Sequence, residues 1–319
     1  MTKHESLISV VAPLEADSPA AVEAFVEEAV AVLGDLVTHY EIVLVDDGAP
    51  EETVAIVRTM LARYDFVRFL RLSRHFGEET AISAGLDVAI GDYVVVMLPN
   101  MDPPTLIPEF FERAQSDDIV YGVRLHRKTE PFWYRIGARA FYWYINSVVG
   151  AGIPEDSTQF RCMSRQVVNA ITQIRGPDQY LRLLTSYIGF RKKAFPYSPI
   201  NRTGQPTIRP KREAVNLARA LVMDHTTHPL RTVIWSGVAL ATLMFVFITI
   251  HAVADHDKNQ FHAALAFLIV TVMIATIGEY VAALSRRLRD RPAYYVREEQ
   301  TSSVLLREER KNVVNTSNN

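Results

Sequence analysis

The chain has 319 residues, 49% of them hydrophobic, and a formal net charge of −2. That apolar content, with a mean hydropathy of +0.05, is high for a purely soluble protein. One cysteine, Cys162, excludes an intramolecular disulfide and a cysteine-rich zinc site, and the charge balance shows no nucleic-acid patch.

Ile8 to Ala12 is a short β-branched run ending at Pro13, which predicts a first buried strand. Ser18-Pro19 supplies an N-cap and a proline at the first helical position, followed by Val22, Phe25, Val26, Ala29, Val30 and Leu33 on one face. Gly34 is the expected stop. The unit repeats: Glu41 to Val45 as strand, Asp46 to Pro50 as loop, Glu52 to Tyr64 as helix. Val67 to Leu72 is a third strand, leading through Ser73-Arg74-His75-Phe76-Gly77 into a helix from about Glu79 to Ala89, and Tyr93 to Leu98 is a fourth. Alternating units of this length require parallel strands with right-handed crossovers, so the first hundred residues predict a nucleotide-binding type of α/β sheet. Ligands bind at the carboxyl ends of such strands, which puts Pro99, Asn100, Met101 and Asp102 at the crevice.

Beyond this turn, Ile119 to Val123 and Phe160 to Met163 predict strands, and Arg191 to Tyr197 a last edge strand. Phe132 to Val149 is an aromatic-rich helix, and Val167 to Ile174 and Tyr180 to Tyr187 are further helices. Residues 1–210 would form the cytoplasmic α/β domain. Segment 211–232, with its stripe Ala214, Leu217, Ala218 and Leu221, suits a helix lying in the membrane interface or an ordinary amphipathic core helix equally well. From Val233 to Val253 no Asp, Glu, Lys or Arg occurs, and a second apolar run from His262 to about Leu284 is broken only by Glu279. Each is long enough to cross a bilayer, so residues 233–285 predict a two-helix transmembrane hairpin. Lys211, Arg212, Arg219 and Arg231 before it, and Arg286, Arg287, Arg289 and Arg291 after it, place both ends in the cytoplasm. Residues 286–319 would be a cytoplasmic tail, with little sign of structure from about Gln300.

The motifs Val45-Asp46-Asp47-Gly48, Leu72-Ser73-Arg74-His75-Phe76-Gly77, Ala84-Gly85-Leu86-Asp87, Asp102-Pro103-Pro104, Tyr121-Gly122-Val123-Arg124, Phe160-Arg161, Pro229-Leu230-Arg231 and Ile277-Gly278-Glu279-Tyr280 occur in a telling order. The string resembles the polyisoprenyl-phosphate glycosyltransferases of family 2, which include dolichyl-phosphate mannose synthase and the bactoprenol glucosyltransferases. The resemblance implies a GT-A (Rossmann-like) domain followed by two C-terminal transmembrane helices. It also implies inverting transfer of a sugar from a nucleotide-diphosphate sugar to a polyprenyl phosphate at the cytoplasmic membrane face. A homo-oligomer is left open, and no nucleic-acid partner is expected.

By the same resemblance, Pro13, Asp46, Asp47 and Asn100 would bind the nucleotide, and Asn100 and Asp102 would hold Mg²⁺ or Mn²⁺. Asp102, Arg124 and Arg202 would serve the chemistry. The chain departs from the family at four places. The family's Asp-Ala-Asp falls on Leu98-Pro99-Asn100, leaving one neutral carbonyl and one carboxylate, Asp102, so metal binding should be weakened or dispensable. Its Gly-Lys-Glu reads Gly77-Glu78-Glu79, and its Gly-Asp-Phe-Arg reads Thr158-Gln159-Phe160-Arg161, an amide in place of the candidate base. Its Arg-x-x-Gly-x-Ser-Lys survives only as Asn201-Arg202-Thr203-Gly204. Arg71, Arg74, Arg124, Arg127, Arg135 and Arg202 are the cations available to a diphosphate. A non-catalytic homologue that partners an active transferase is the rival reading.

Overall fold

The computed structural model describes residues 3–15, 17–125, 157–174, 180–202 and 294–302, with isolated helical positions between 139 and 147 and between 239 and 284. The chain divides into two compact units, one of residues 1–146, 150–208 and 292–319, the other of 147–149 and 209–291.

The first unit is built on an eight-stranded sheet: β1 (His4–Leu14), β2 (Val37–Asp46), β3 (Val67–Leu72), β4 (Tyr93–Val96), β5 (Ile119–Arg124), β6 (Ser157–Ser164), β7 (Lys192–Tyr197) and β8 (Val296–Thr301). Their spatial order is β7-β5-β6-β4-β1-β2-β3-β8. β1 pairs in parallel with β2 and β4, and β2 with β3, as the alternating sequence pattern requires. β6 runs antiparallel between β4 and β5. The chain moves outward from β1 through β2 to β3, then returns to the other side of β1 as β4. This reversal makes the carboxyl ends of β1 and β4 the switch point at which open α/β sheets bind ligands.

The central strands alternate their side chains between two apolar layers. Ile8, Val10, Ala12, Ile42, Leu44, Val95 and Met97 face one, packed by α1 (Pro19–Leu36), α2 (Glu51–Arg63) and α4 (Ile107–Ala114). Val11, Val43, Val45, Val94 and Val96 face the other, packed by α3 (Glu78–Val88), α5 (Arg165–Gln173) and α6 (Leu181–Tyr187). Near-continuous valine and isoleucine runs are what strands covered on both faces demand. α1 starts as expected: the Ser18 hydroxyl accepts from the Ala21 N–H at 3.3 Å, with Pro19 behind it. Gly34 does not end it; the helix runs to Leu36 and passes straight into β2, the Val37 N–H returning to the Leu33 carbonyl.

β8 is the main difference from the sequence reading. Residues assigned there to a cytoplasmic tail form an antiparallel edge strand against β3, so Arg191 to Tyr197 is not the last strand. Two glutamates and a glutamine fall within β8, which hides it from a hydrophobic pattern. It is secured by charge: Glu299 accepts from Arg68 at 2.6 Å and Glu298 from Arg58 at 3.1 Å.

Of the second unit, the described helical positions include Val270, Ile274, Ile277, Val281 and Leu284, all exposed. Among the described residues no helix is long and apolar enough to cross a membrane. Most of the sequence-predicted spans and of the aromatic helix, and the whole 211–232 segment, lie outside the described residues.

Candidate active site

The crevice is assembled from the loops that leave β1, β2, β3 and β4, and each holds the next. Pro13, buried at the end of β1, lies opposite Val45 in the ladder, and the Asp47 N–H donates to the Leu14 carbonyl at 2.9 Å. Asp46 and Asp47 are both buried. Asp46 Oδ1 accepts from the backbone of Gly48 and Ala49 at 3.0 and 2.7 Å, while its other oxygen meets Arg71 Nε at 3.0 Å. Asp47 accepts the N–H groups of Phe76 and Gly77, each at 2.6 Å, and faces His75 Nδ1 at 3.0 Å. The hydrogen bond of His75 to the Asp47 backbone, with the carboxylate beside it, pushes the imidazole pKa up. Gly77, at φ 102°, makes the turn that aims these amides, a conformation glycine adopts without strain. The Asp-Asp pair thus shapes the loops around the crevice.

The turn after β4 is closed on itself. The N–H groups of Met101 and Asp102 return to the Leu98 carbonyl, and the Leu98 N–H donates to Asp102 Oδ2 at 2.8 Å. Asp102 Oδ1 accepts the Tyr197 hydroxyl, whose oxygen also lies 3.1 Å from Thr158 Oγ1. Asp102 is 1% exposed, and burial pushes its pKa up to about 6. Asn100 donates its amide to Asp17, whose pKa burial likewise raises to about 6, while Asn100 Oδ1 is buried with no partner.

The two arginines expected to serve the chemistry both lie against this turn. Arg124, at the end of β5, reaches Met101 Sδ at 4.0 Å. Arg202 is engaged elsewhere: its Nη1 donates to the Pro99 carbonyl at 3.0 Å, its Nη2 to Glu28 on α1, and its backbone N–H to the Asn100 carbonyl at 3.2 Å. Arg71 is committed to Asp46 and Glu51, and Arg74 lies over the Phe76 ring. Arg127 and Arg135 lie outside the described residues.

Gln159 donates its amide to Glu78 at 3.2 Å and to Glu79. Two departures read separately from the sequence therefore touch each other, an amide donor facing an acid. Glu79 also accepts the Leu181 N–H, and burial raises its pKa.

A divalent ion fits this turn poorly. Asp102 is buried with both oxygens accepting from the protein, so it presents no oxygen toward the crevice; Asn100 Oδ1 is the one unengaged donor at the expected metal position. Among the described residues no three His, Cys, Asp or Glu side chains stand together as a metal site. The sequence reading missed Asp17, Tyr197 and Glu28. Asp17 was accessible in principle, since it lies in the loop leaving β1 at the switch point. Tyr197 and Glu28 carry no local signal, because their roles arise from contacts with Asp102 and Arg202, 95 and 174 residues away.

Residues 19–172 match the model of the glycosyl transferase family 2. The chain is 28% identical to a prophage bactoprenol glucosyl transferase homolog of Escherichia coli, over 81% of this chain and 88% of that one. It is 28% identical to the uncharacterized glycosyltransferase YkcC of Bacillus subtilis over 81% and 83%. The bactoprenol glucosyl transferase of Shigella phage SfV is 27% identical over 82% and 88%. Among solved structures, glucosyl-3-phosphoglycerate synthase of Mycobacterium tuberculosis, in complex with Mn²⁺, UDP and phosphoglyceric acid, superposes with a TM-score of 0.47 at 16% identity, over 68% of this chain and 76% of that one.

Proposed function

We infer that this chain, a glycosyltransferase carrying a glycosyl transferase family 2 domain over residues 19–172, moves a sugar from a nucleotide-diphosphate sugar to a polyprenyl phosphate at a membrane, with inversion. One observation carries the acceptor. Relatives named as bactoprenol glucosyl transferases align over 268 and 271 residues, well beyond the family 2 segment and so into the apolar C-terminal part. The apolar side chains at positions 270, 272, 274, 277, 281 and 284 are exposed and suit contact with lipid. On this reading 233–285 is a membrane hairpin, and the catalytic unit and both termini are cytoplasmic.

The nucleoside would lie in the crevice between Pro13 and the loops ordered by Asp46 and Asp47, and the diphosphate beside the 98–102 turn. An acceptor phosphate monoester has its second pKa near ~6, so at neutral pH it is already largely a dianion and attacks without a base. An amide at Gln159 is therefore compatible with turnover. Charge that builds on the departing diphosphate still needs stabilisation, and arginine forks offer paired donors to phosphate oxygens.

The test is transfer of label from a panel of nucleotide sugars to undecaprenyl phosphate by the full-length protein in detergent. Product from at least one donor is expected, with a loss of tenfold or more in Asp47→Ala, whose loop scaffold collapses. No product from any donor, in a folded preparation, would favour the non-catalytic partner. The specific observation behind that rival is Gln159, whose amide is spent on Glu78 and Glu79.

A further inference from the structure

The turn that follows β4 carries the inference, and it rests on the donor-site reading above. Contacts among the described residues tie this five-residue turn: Met101 and Asp102 N–H to Leu98 O, Leu98 N–H and Tyr197 O–H to Asp102, and Asn100 to Asp17. Ile200 N–H reaches Met101 O, Arg202 N–H reaches Asn100 O, and Arg202 Nη1 reaches Pro99 O. A metal ion bound by such a turn would use the carboxylate as a ligand. Here the carboxylate is buried and turned inward, one oxygen accepting the Leu98 N–H and the other the Tyr197 hydroxyl.

The surroundings are also rich in acids. Asp17 lies against Asn100 of the turn, and Glu78 and Glu79 meet at the Gln159 amide. A diphosphate entering this crevice meets carboxylates, and among the described residues the cations against the turn are Arg124 and Arg202. Arg202 is held by Glu28, its side chain 12% exposed and that of Glu28 32%. Glu28 is an anion standing where a phosphate could stand.

We propose that this site binds the donor's diphosphate without a divalent ion, through Arg124 and Arg202, and that Glu28 competes with the diphosphate for Arg202. Binding exchanges one charge-assisted hydrogen bond of the arginine for another. The Pro99 carbonyl and the Asn100 bond keep the arginine backbone and one guanidinium nitrogen in place while the other nitrogen changes partner. Glu28 then sets how tightly the leaving nucleotide is retained.

The experiment is binding of UDP and of GDP, as probes, to the full-length protein in detergent, by calorimetry, in EDTA and with Mn²⁺. Alongside it, Mn²⁺ paramagnetic resonance reads free against bound ion. At least one nucleotide is expected to bind with an affinity that changes less than threefold between EDTA and Mn²⁺, and the protein holds no Mn²⁺ beyond what the nucleotide alone binds in solution. Arg124→Ala should weaken binding tenfold or more. Glu28→Gln should strengthen it severalfold, and Glu28→Gln with Arg202→Ala should lose that gain. Binding that needs Mn²⁺, or one Mn²⁺ bound per nucleotide and released in Asp102→Ala, overturns the proposal and leaves the glycosyltransferase reading intact. Unchanged or weaker binding in a folded Glu28→Gln protein overturns the role of Glu28. Failure of both nucleotides to bind under any condition overturns the donor site itself, and this proposal with it.

Discussion

Asp102 shows how a residue can be found in a sequence while its partners stay hidden. Its position at the end of the β4 segment was legible, because strand carboxyl ends are where α/β sheets bind ligands. Its orientation was not, because the tyrosine that turns it inward lies on β7. The consequence is measurable. Asp17 and Asp102 have pKa values of about 6 in the fold against 3.8 as the ordinary value. As pH rises from 4, the unfolded chain releases these protons first, so folding stability falls until the folded groups have ionised, just above pH 6. For Asp102 the cost is on the order of 3 kcal/mol, from about two units at ~1.4 kcal/mol each. Asp102→Asn keeps an oxygen for the Leu98 N–H and an amide for the Tyr197 oxygen, so its melting temperature should fall less between pH 4.5 and 7. Parallel profiles for the two proteins would refute the buried, raised carboxylate. Tyr197→Phe removes the hydroxyl shared by Asp102 and Thr158 and should cost about 1–3 kcal/mol in denaturant melts, the penalty for a buried acceptor left without its donor.

The elements were read best where one short stretch contains the whole signal. β3 was placed at its observed ends, and the α1 cap was correct, because both depend on neighbours in sequence. α4 went unread: its eight residues give a short apolar face of Ile107, Phe110 and Phe111, and its helical state is secured by packing, with Phe110 stacked on Phe160 of β6 at a centroid distance of 3.9 Å. α3 packs tightly on the sheet at Gly85. A Cβ on Gly85 would sit 2.3 Å from Val11 Cγ1 and 3.2 Å from Val45 Cγ2. Gly85→Val must push α3 away from β1 and β2, with an overpacking cost of about 1–3 kcal/mol or more. Because α3 begins at Gly77 and Glu78, the shift should also loosen the Asp47 loop. A variant with lower stability and weaker nucleotide binding is expected; unchanged melting would show that the helix has room to move.

At the scale of the molecule, seven strands of the catalytic sheet come from residues 4–197 and the eighth from residues 296–301. β8 closes the β3 edge after the chain has passed through the second unit. The Tyr295 carbonyl accepts the Ser73 N–H at 2.8 Å, so the returning segment also steadies the loop that carries His75 to Gly77. A chain stopped after residue 293 would leave Arg68 mostly buried without Glu299 and an open edge over Val67 to Leu72. Loss of one partner of such a pair costs about 3 kcal/mol, and an unpaired edge invites association. Lower melting and concentration-dependent aggregation in detergent are expected, and a monodisperse truncated protein of native stability would contradict the role of β8. The same closure bears on biogenesis. The ribosome delivers the closing strand last, after every residue of the proposed membrane hairpin has been made. A hairpin inserted with only one crossing would strand residues 296–301 on the far side of the bilayer, where they could never reach β3. Completion of the catalytic sheet would then act as a checkpoint on membrane topology, and misinserted chains would present an unfinished edge to the cell's proteases.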